Sequence, residues 1–342
     1  MLKDYYYQEI ICDIDFSGQD LSGLSFNECQ INKCKFNGAL LTGASFNRCM
    51  IDQSSFKNSN QSLISMVECK LLNSDFYKSK FKGASFSQCF FEGCNYSDCD
   101  LFSVSFSKCQ LYHIEFTNSL LKLSSFCDSK LSKVNFFQAN IKGGSFIKCQ
   151  KVDIDLTSAI LEKAVISHSH FLDYDFSSVI LNSVNFVHCN LERALFKRNS
   201  NMKMSRFINV NLNESKFESV DAEYIFLQGA FLNNSSILNA NFLSANLSKV
   251  EADNLIIKNS KLSGANLSKS LFRHTKLLNC DLTAALLHYT QFYQCEVSNS
   301  DLLFENLYKT KFTQSRVANT EINKTLGSNK EMELADEWLP VY

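Results

Sequence analysis

The sequence predicts an all-β solenoid that is built from five-residue repeats. Apolar residues recur at every fifth position from Ile11 to Phe196, where only Gln61 and Lys151 break the pattern, and again from Phe207 to Ile322. A period of five matches neither an α-helix nor a simple strand alternation, so the repeat itself is the structural unit. We call the apolar residue the centre of its pentad; a small residue usually lies two positions before it.

A longer period of twenty residues is nested in the first and predicts four pentads per coil. It is carried by cysteines at 29, 49, 69, 89 and 109, by serines at 25, 45, 65, 85, 105, 125 and 145, and by asparagines at 239, 259, 279, 299 and 319. Like residues then stack coil upon coil, and each coil pairs its backbone with the coils on either side. About 15 coils with a square cross-section result, with centres and small residues inside.

Two identical pentads, AlaAsnLeuSerLys at 245–249 and again at 265–269, carry a family resemblance. The chain resembles the pentapeptide-repeat family over about nine tenths of its length. This resemblance implies the family's fold, a right-handed quadrilateral parallel β-helix. It is specific for fold and says little about function.

The repeat divides the chain into one long body and two short ends. Residues 1–10 form a predicted N-terminal cap, 11–324 the β-helix, and 325–342 a C-terminal capping helix or tail. Within 197–206 the frame slips by one residue, which must leave the solenoid as a bulge or small loop. Gln61 and Lys151 stand at centres, where we expect local bulges that let their side chains reach water. Glu305 occupies an inward position near the end of the repeat, where we expect the coil to loosen.

Composition favours a protein of a reducing compartment. Most of the 14 cysteines occupy the small inward position, where a thiol behaves as a small hydrophobe. The first residues lack the apolar core of a signal peptide, and no apolar stretch has the length of a membrane span. We therefore expect a cytoplasmic protein without membrane contact, or alternatively one that is secreted into a host cell without a cleavable signal peptide.

The frame slip gives the first candidate binding surface. Basic residues concentrate there, and surface loops on rigid scaffolds often bind partners. The other interpretation is a tolerated insertion with solvated charges. The candidate residues are Arg193, Lys197, Arg198, Lys203 and Arg206.

Aromatic residues at outward positions in the last coils give the second candidate surface. Clustered exposed aromatics often mark interfaces, although packing beneath the C-terminal tail would also account for them. These candidates are His288, Tyr289, Tyr293, Phe304 and Tyr308.

The tail carries a capping-box signal in Ser328 and Glu331. A short helix there would close the open end of the core, as solenoid caps must. Its candidate cap or dimer residues are Met332, Ala335, Trp338 and Leu339. The resemblance to quinolone-resistance members, in which a C-terminal helix region also makes the dimer, adds a homodimer through this end as a hypothesis.

The sequence favours a non-catalytic interaction scaffold of bacterial type with a protein partner; a secreted effector that acts on a host protein is one form of this hypothesis. It contains no phosphate-binding loop, nucleophile elbow or metal-spaced Cys/His set, so we expect no enzyme, cofactor or metal. The alternative, by resemblance, is a DNA mimic that binds and protects topoisomerase (gyrase) and confers quinolone resistance. Mimicry needs a strongly acidic surface, whereas the net charge is −1. That balance also gives no general attraction to nucleic acid.

Overall fold

The computed structural model describes residues 5–198, 200–302 and 307–322. These residues form an all-β parallel solenoid of about 15 turns without a helix, as the sequence predicts. The chain divides into two compact units, unit 1 (Met1–His170 and Ser178–Ile180) and unit 2 (Phe171–Ser177 and Leu181–Tyr342). The described part holds no helix with the length and apolar character that crossing a bilayer would require.

Unit 1 contains short parallel strands on two faces of the solenoid. One sheet has the order β1-β3-β5-β7-β9-β11-β13-β15-β17 and the other β2-β4-β6-β8-β10-β12-β14-β16, where the strands are β1 (Tyr5–Tyr7), β2 (Ile10–Cys12), β3 (Ser25–Asn27), β4 (Gln30–Asn32), β5 (Ser45–Asn47), β6 (Met50–Asp52), β7 (Ser65–Val67), β8 (Lys70–Leu72), β9 (Ser85–Ser87), β10 (Phe90–Glu92), β11 (Ser105–Ser107), β12 (Gln110–Glu115), β13 (Ser125–Cys127), β14 (Lys130–Asn135), β15 (Ser145–Ile147), β16 (Gln150–Asp155) and β17 (Val165–Ser167).

Unit 2 repeats this plan. Its parallel pairings run β18-β20, β19-β21-β22-β24-β26-β28-β31, β23-β25-β27-β30 and β29-β32, where the strands are β18 (Asn185–Val187), β19 (Leu195–Phe196), β20 (Arg206–Ile208), β21 (Lys216–Glu218), β22 (Ser236–Leu238), β23 (Glu251–Asp253), β24 (Ile256–Lys258), β25 (Leu271–Arg273), β26 (Lys276–Leu278), β27 (Gln291–Tyr293), β28 (Glu296–Ser298), β29 (Asp301–Leu302), β30 (Lys311–Thr313), β31 (Arg316–Ala318) and β32 (Glu321–Ile322).

The register follows the twenty-residue period. Phe26 pairs with Phe46, and the same spacing holds between successive coils of unit 1. In unit 2 the spacing becomes twenty-one at the frame slip, where Leu195 pairs with Lys216, and it returns to twenty afterwards. In a regular coil the N–H of a centre donates to the carbonyl nineteen residues later, as Phe176 does to Leu195. Leu181 instead donates to the Asn201 carbonyl, twenty residues later. The extra residue therefore lies between Leu195 and Asn201.

The core consists of stacked columns of centres. Phe36 and Phe56 stack with ring centroids 4.5 Å apart, and Phe106 and Phe126 stack at 4.9 Å. Stacking at one ring per coil fills the interior with side chains in close contact.

The cysteine column lies inside, as the sequence predicts. The thiols of Cys49 and Cys69 each donate to a buried carbonyl, that of Phe26 and that of Phe46, at 3.4 Å. Burial raises the pKa of the Cys94 and Cys149 thiols to about 12. These thiols are therefore packing groups rather than nucleophiles.

Gln61 contradicts the expectation of a bulge that reaches water. Its side chain is fully buried, and its backbone N–H donates to the Lys80 carbonyl at 2.7 Å in the regular pattern. The regular ladder holds the amide inside. Around Lys151 the pairing of β14 with β16 is irregular, between Lys130 and Val134, which fits a bulge; the Lys151 side chain lies outside the described part.

Candidate protein-binding surface

The corners of the solenoid determine which side chains project from it. In nearly every described pentad the residue two positions after the centre has a left-handed backbone, and it is usually glycine, asparagine or another polar residue. We call this position the corner. A left-handed conformation costs an L-residue roughly 1–2 kcal/mol, and glycine and asparagine tolerate it best. The corners therefore select against large apolar side chains.

Among the described residues, four corners carry large, exposed apolar side chains despite this cost. In unit 1 they are Leu63 and Leu123, both with φ 59°, which are 65% and 56% exposed. In unit 2 they are Met204 and Tyr224, with φ 58° and 59°, which are 59% and 50% exposed. Neither the backbone nor the core gains from these residue types at these positions. Costly outliers of this kind point to binding.

In unit 1, each of the two corner leucines lies next to a glycine at the same corner of the following coil. A Cβ atom added to Gly83 would lie 3.0 Å from the Leu63 Cδ2 atom, and one added to Gly143 would lie 2.8 Å from the Leu123 Cδ2 atom. Each leucine therefore leans over a glycine that leaves room for it. The arrangement keeps the leucine on the surface instead of folding it into the core.

A shallow groove of about 380 Å³ adjoins Leu63. The Lys82 ammonium lies 5.5 Å from the centroid of the Phe102 ring, which supplies a cation–π contact. We call this feature the Leu63 groove; it is lined by Ser62, Leu63, Lys82, Gly83, Phe102 and Ser103.

Met204 and Tyr224 occupy the same corner in adjacent coils of unit 2. The Met204 N–H donates to the Glu223 carbonyl at 2.9 Å, directly before Tyr224. On the neighbouring face the Arg206 guanidinium lies 4.7 Å from the Phe226 ring centroid. We call Met204, Tyr224, Arg206 and Phe226 the Met204 patch.

The sequence reasoning missed both features. The corner residues Leu63, Met204 and Tyr224 do not themselves form a cluster of aromatic or basic residues in the sequence. A large apolar residue two positions after a centre is a signal that the sequence contains.

The residues of the frame slip form a surface of mixed charge, not the basic one that the sequence indicates. Arg193 makes a bidentate pair with the Asp173 carboxylate, with a second bond of 3.0 Å, and it also pairs with Glu192. Hydrogen bonds from Arg193 lower the pKa of Asp173. Lys203 contacts Asp221 at 3.0 Å and Glu223 at 3.1 Å.

Coil stacking explains this neutralisation, because acidic residues one coil away occupy the same columns. Lys197 and Arg198 are exposed. A groove of about 520 Å³ beside them is lined by residues of both signs, Asp173, Asp175, Arg193, Leu195, Lys197, Glu214, Lys216 and Glu218. Partner binding by the five basic candidates stays a prediction.

The predicted aromatic cluster is only partly exposed. Tyr293 is 39% exposed, whereas Tyr308 is 2% exposed, so its assignment as an outward residue is wrong. Tyr308 lies edge-on against Tyr289, with centroids 5.6 Å apart, because its column packs against the neighbouring corner. Tyr289 and His288 are half-buried. Burial, with the nearby Lys269 charge, lowers the pKa of His288.

Lysines flank Tyr289 on two sides. The Lys309 ammonium lies 5.3 Å and the Lys269 ammonium 5.9 Å from its ring centroid. These contacts hold Tyr289 within a packed column. Among the predicted aromatic residues in the described part, Tyr293 is therefore left as the most exposed. Phe304, Glu305 and the cap residues Met332, Ala335, Trp338 and Leu339 lie outside the described residues.

The described residues contain no cluster of three or more His, Cys, Asp or Glu side chains that could hold a metal ion. Grooves on the described surface are shallow, since stacked side chains fill the interior.

Family models match these coils in several places. The pentapeptide repeat region matches residues 64–136, and pentapeptide repeats match residues 13–48, 159–198 and 265–302. The chain belongs to the pentapeptide-repeat family. This membership agrees with the five-residue period and the left-handed corners, and it says nothing specific about a partner.

Two solved structures are similar to the chain at low sequence identity. QnrB1, a plasmid-mediated fluoroquinolone resistance protein, is 16% identical, with 53% of this chain and 93% of that chain covered and a TM-score of 0.37. HetL, a pentapeptide repeat protein involved in heterocyst differentiation regulation in Nostoc sp. strain PCC 7120, is 14% identical, with 79% and 88% covered and a TM-score of 0.28. No curated protein sequence matches the chain. Similarity at this level does not indicate what this chain binds.

Proposed function

We propose that this pentapeptide-repeat protein is a non-catalytic scaffold that binds a protein partner through exposed apolar corners. One observation carries the proposal: Leu63, Leu123, Met204 and Tyr224 are half or more exposed in a left-handed conformation that disfavours them. Each exposes apolar surface that burial in an interface would remove from water, at about 25 cal/mol per Å². Burial of these side chains in an interface would thus offset the conformational cost that they add to folding.

The scaffold itself favours such binding. Backbone hydrogen bonds between coils fix each corner, so a partner meets side chains whose backbone is already ordered. Less conformational entropy is lost on association, which raises affinity for a given contact area.

Topoisomerase binding by DNA mimicry is less well supported. A mimic needs a continuous run of negative charge, whereas acids in the described part alternate with bases between coils. Arg48 lies 2.9 Å from Glu68 and 4.0 Å from Glu28, and Lys142 lies 2.8 Å from Glu162. Such alternation cancels the field that a mimic would project.

The experiment is affinity capture with the full chain and a corner variant. The variant replaces Leu63, Leu123, Met204 and Tyr224 by asparagine, which tolerates the left-handed conformation, so the fold is retained. The matched control carries Lys108→Asn and Lys148→Asn, at exposed polar corners with φ 55° and 54°.

We expect one or more proteins from bacterial or host lysates to bind the wild type and the control and to be lost from the corner variant. Equal recovery by all three chains would contradict the proposal. Inhibition or protection of purified gyrase by the wild type and the corner variant alike would favour the topoisomerase alternative.

A further inference from the structure

The pentad Asn60–Ile64 has its polarity reversed. Its centre, Gln61, is fully buried, and its corner, Leu63, is 65% exposed. The Gln61 amide donates to the Ser59 hydroxyl at 2.9 Å, but its carbonyl oxygen is buried without a hydrogen-bond partner. Two unfavourable choices therefore occur within one repeat. Local conflict with the rest of a fold is typical of functional sites.

The neighbours of Leu63 show which side of the pentad is functional. Leu63 and Phe102 line the Leu63 groove. Gly83 also lines it, and it has no side chain that would occupy the space beside Leu63. Backbone bonds of 2.9 Å from Leu63 to the Lys82 carbonyl and from Gly83 to the Phe102 carbonyl hold the three coils in register. The groove volume of about 380 Å³ has room for one large apolar side chain.

The charges at the groove rim are positive. Lys82 is the one ionisable residue among the six described residues that line it. Lys122 follows in the next coil, where its carbonyl accepts the Ser103 N–H at 2.9 Å. The nearby Asp100 carboxylate is engaged by the Phe102 N–H at 3.2 Å. An apolar side chain in the groove would thus have the Lys82 ammonium group beside it.

We propose that the Leu63 groove binds an acidic segment of a protein partner, which inserts one large apolar side chain between Leu63 and Phe102 and places a carboxylate against Lys82. This inference rests on the proposed function and names the chemistry of one of its contact sites. Apolar contact supplies affinity, and the carboxylate supplies specificity and a faster encounter.

The test is fluorescence anisotropy with short labelled peptides and the full chain. The probe has one phenylalanine flanked by glutamates; two comparison peptides carry lysines in place of the glutamates or alanine in place of the phenylalanine. We expect the probe to bind at least about tenfold more tightly than either comparison peptide.

Three variants assign the binding to the groove. Leu63→Asn and Lys82→Glu should each weaken it about tenfold or more. Gln138→Asn is the control, because it places asparagine at an exposed, uncharged corner of similar conformation, with φ 56°, outside the groove, and binding should be unchanged. Thermal melting of each variant shows that the fold is intact.

Failure of the probe to bind, or binding unchanged by Leu63→Asn, would overturn the inference. So would sedimentation of the wild type as a dimer and of Leu63→Asn as a monomer, since a second copy would then occupy the groove. If the peptide fails while the corner residues still capture a partner from lysate, the proposed function stands and only the acidic segment is wrong.

Discussion

Gln61 and Leu63 each occupy the environment that suits the other residue type. The Gln61 amide is fully buried at a centre, and Leu63, two residues later, is 65% exposed at a corner. The backbone around them is regular, with the Leu41 N–H donating to the Asn60 carbonyl at 2.7 Å. The hydrogen-bond register of the coils therefore decides which residue faces inward, and it overrides the polarity of the side chains. This inversion leads to the first prediction.

Gln61→Leu should raise the free energy of unfolding by about 1–2 kcal/mol, because it removes a buried carbonyl oxygen that has no partner and restores an apolar centre. Denaturant or thermal unfolding measures the change. Leu41→Gln, at the fully buried centre one coil earlier, is the control and should destabilise. A lower melting temperature for Gln61→Leu would show that the amide stabilises the fold.

Tyr96→Phe should also stabilise, by about 1 kcal/mol. Tyr96 is fully buried between stacked rings, 4.6 Å from Phe76 and 5.4 Å from Phe116 by centroid, and its hydroxyl has no hydrogen-bond partner. Thermal melting of Tyr96→Phe and of the reverse change at a neighbour, Phe116→Tyr, should move in opposite directions. Movement in the same direction would refute the account of this hydroxyl.

Gly143→Ala should destabilise by roughly 1 kcal/mol or more, since its φ is +67° and the new Cβ would lie 2.8 Å from the Leu123 Cδ2 atom. Part of the loss should be recovered when Leu123→Ala is added, because the steric term is shared by the two residues. A double-mutant cycle of unfolding free energies measures this coupling. Strictly additive effects would mean that Leu123 does not lean over the glycine.

His274 should titrate above the ordinary histidine range. Its Nδ1 atom lies 2.7 Å from the Asp253 carboxylate and its Nε2 atom 2.7 Å from the Gln294 carbonyl oxygen. The bond to Asp253 first, then that to Gln294, raises the pKa of His274, while Arg273 opposes the shift. Both partners accept, so the doubly protonated ring fits the site.

The sign of the pH dependence follows from this direction. Folding raises the pKa of His274. The contribution of protonated His274 to the stability of the fold is therefore fully present below the pKa of the unfolded state, and it is lost as the pH rises through the pKa of the folded state. An NMR titration should place His274 above 6.5, the ordinary value, and His288, whose pKa burial lowers, below it. The reverse order would contradict both assignments.

Thiol labelling should separate the cysteines by depth. Cys12 is exposed and should react with iodoacetamide in the native protein at mildly alkaline pH. Cys94 and Cys149 are buried, and burial raises the pKa of each thiol to about 12, so they should react only after denaturation. Mass spectrometry identifies the labelled residues. Rapid native labelling of Cys94 would contradict the packed column.

The sequence was sufficient for the fold because the two nested periods specify it. A centre every five residues defines the pentad, and like residues every twenty define the coil, so stacks such as Phe36 on Phe56 could be predicted before the structure was known. The family resemblance supplied the square β-helix. Neither of the two periods depends on a partner.

The surface was less predictable, because its neighbours are twenty residues apart and its conformations are unusual. Arg193 and Asp173 form an ion pair although they are twenty residues apart in sequence, because one coil separates them. The twenty-residue period therefore also determines which charged side chains are neighbours. Gln61 was expected to reach water, since a sequence does not show whether the backbone will bulge. The burial of Tyr308 likewise depends on how its column packs against Tyr289.

The most direct test of the scaffold account measures stability and binding on the same preparations. The chain with asparagine at Leu63, Leu123, Met204 and Tyr224 is compared with the wild type by thermal melting and by titration of the captured partner. The account predicts an equal or higher melting temperature, because asparagine suits these corners, together with an affinity at least about tenfold lower. Unchanged affinity at equal stability would contradict it, since the corner side chains would then contribute neither to folding nor to binding.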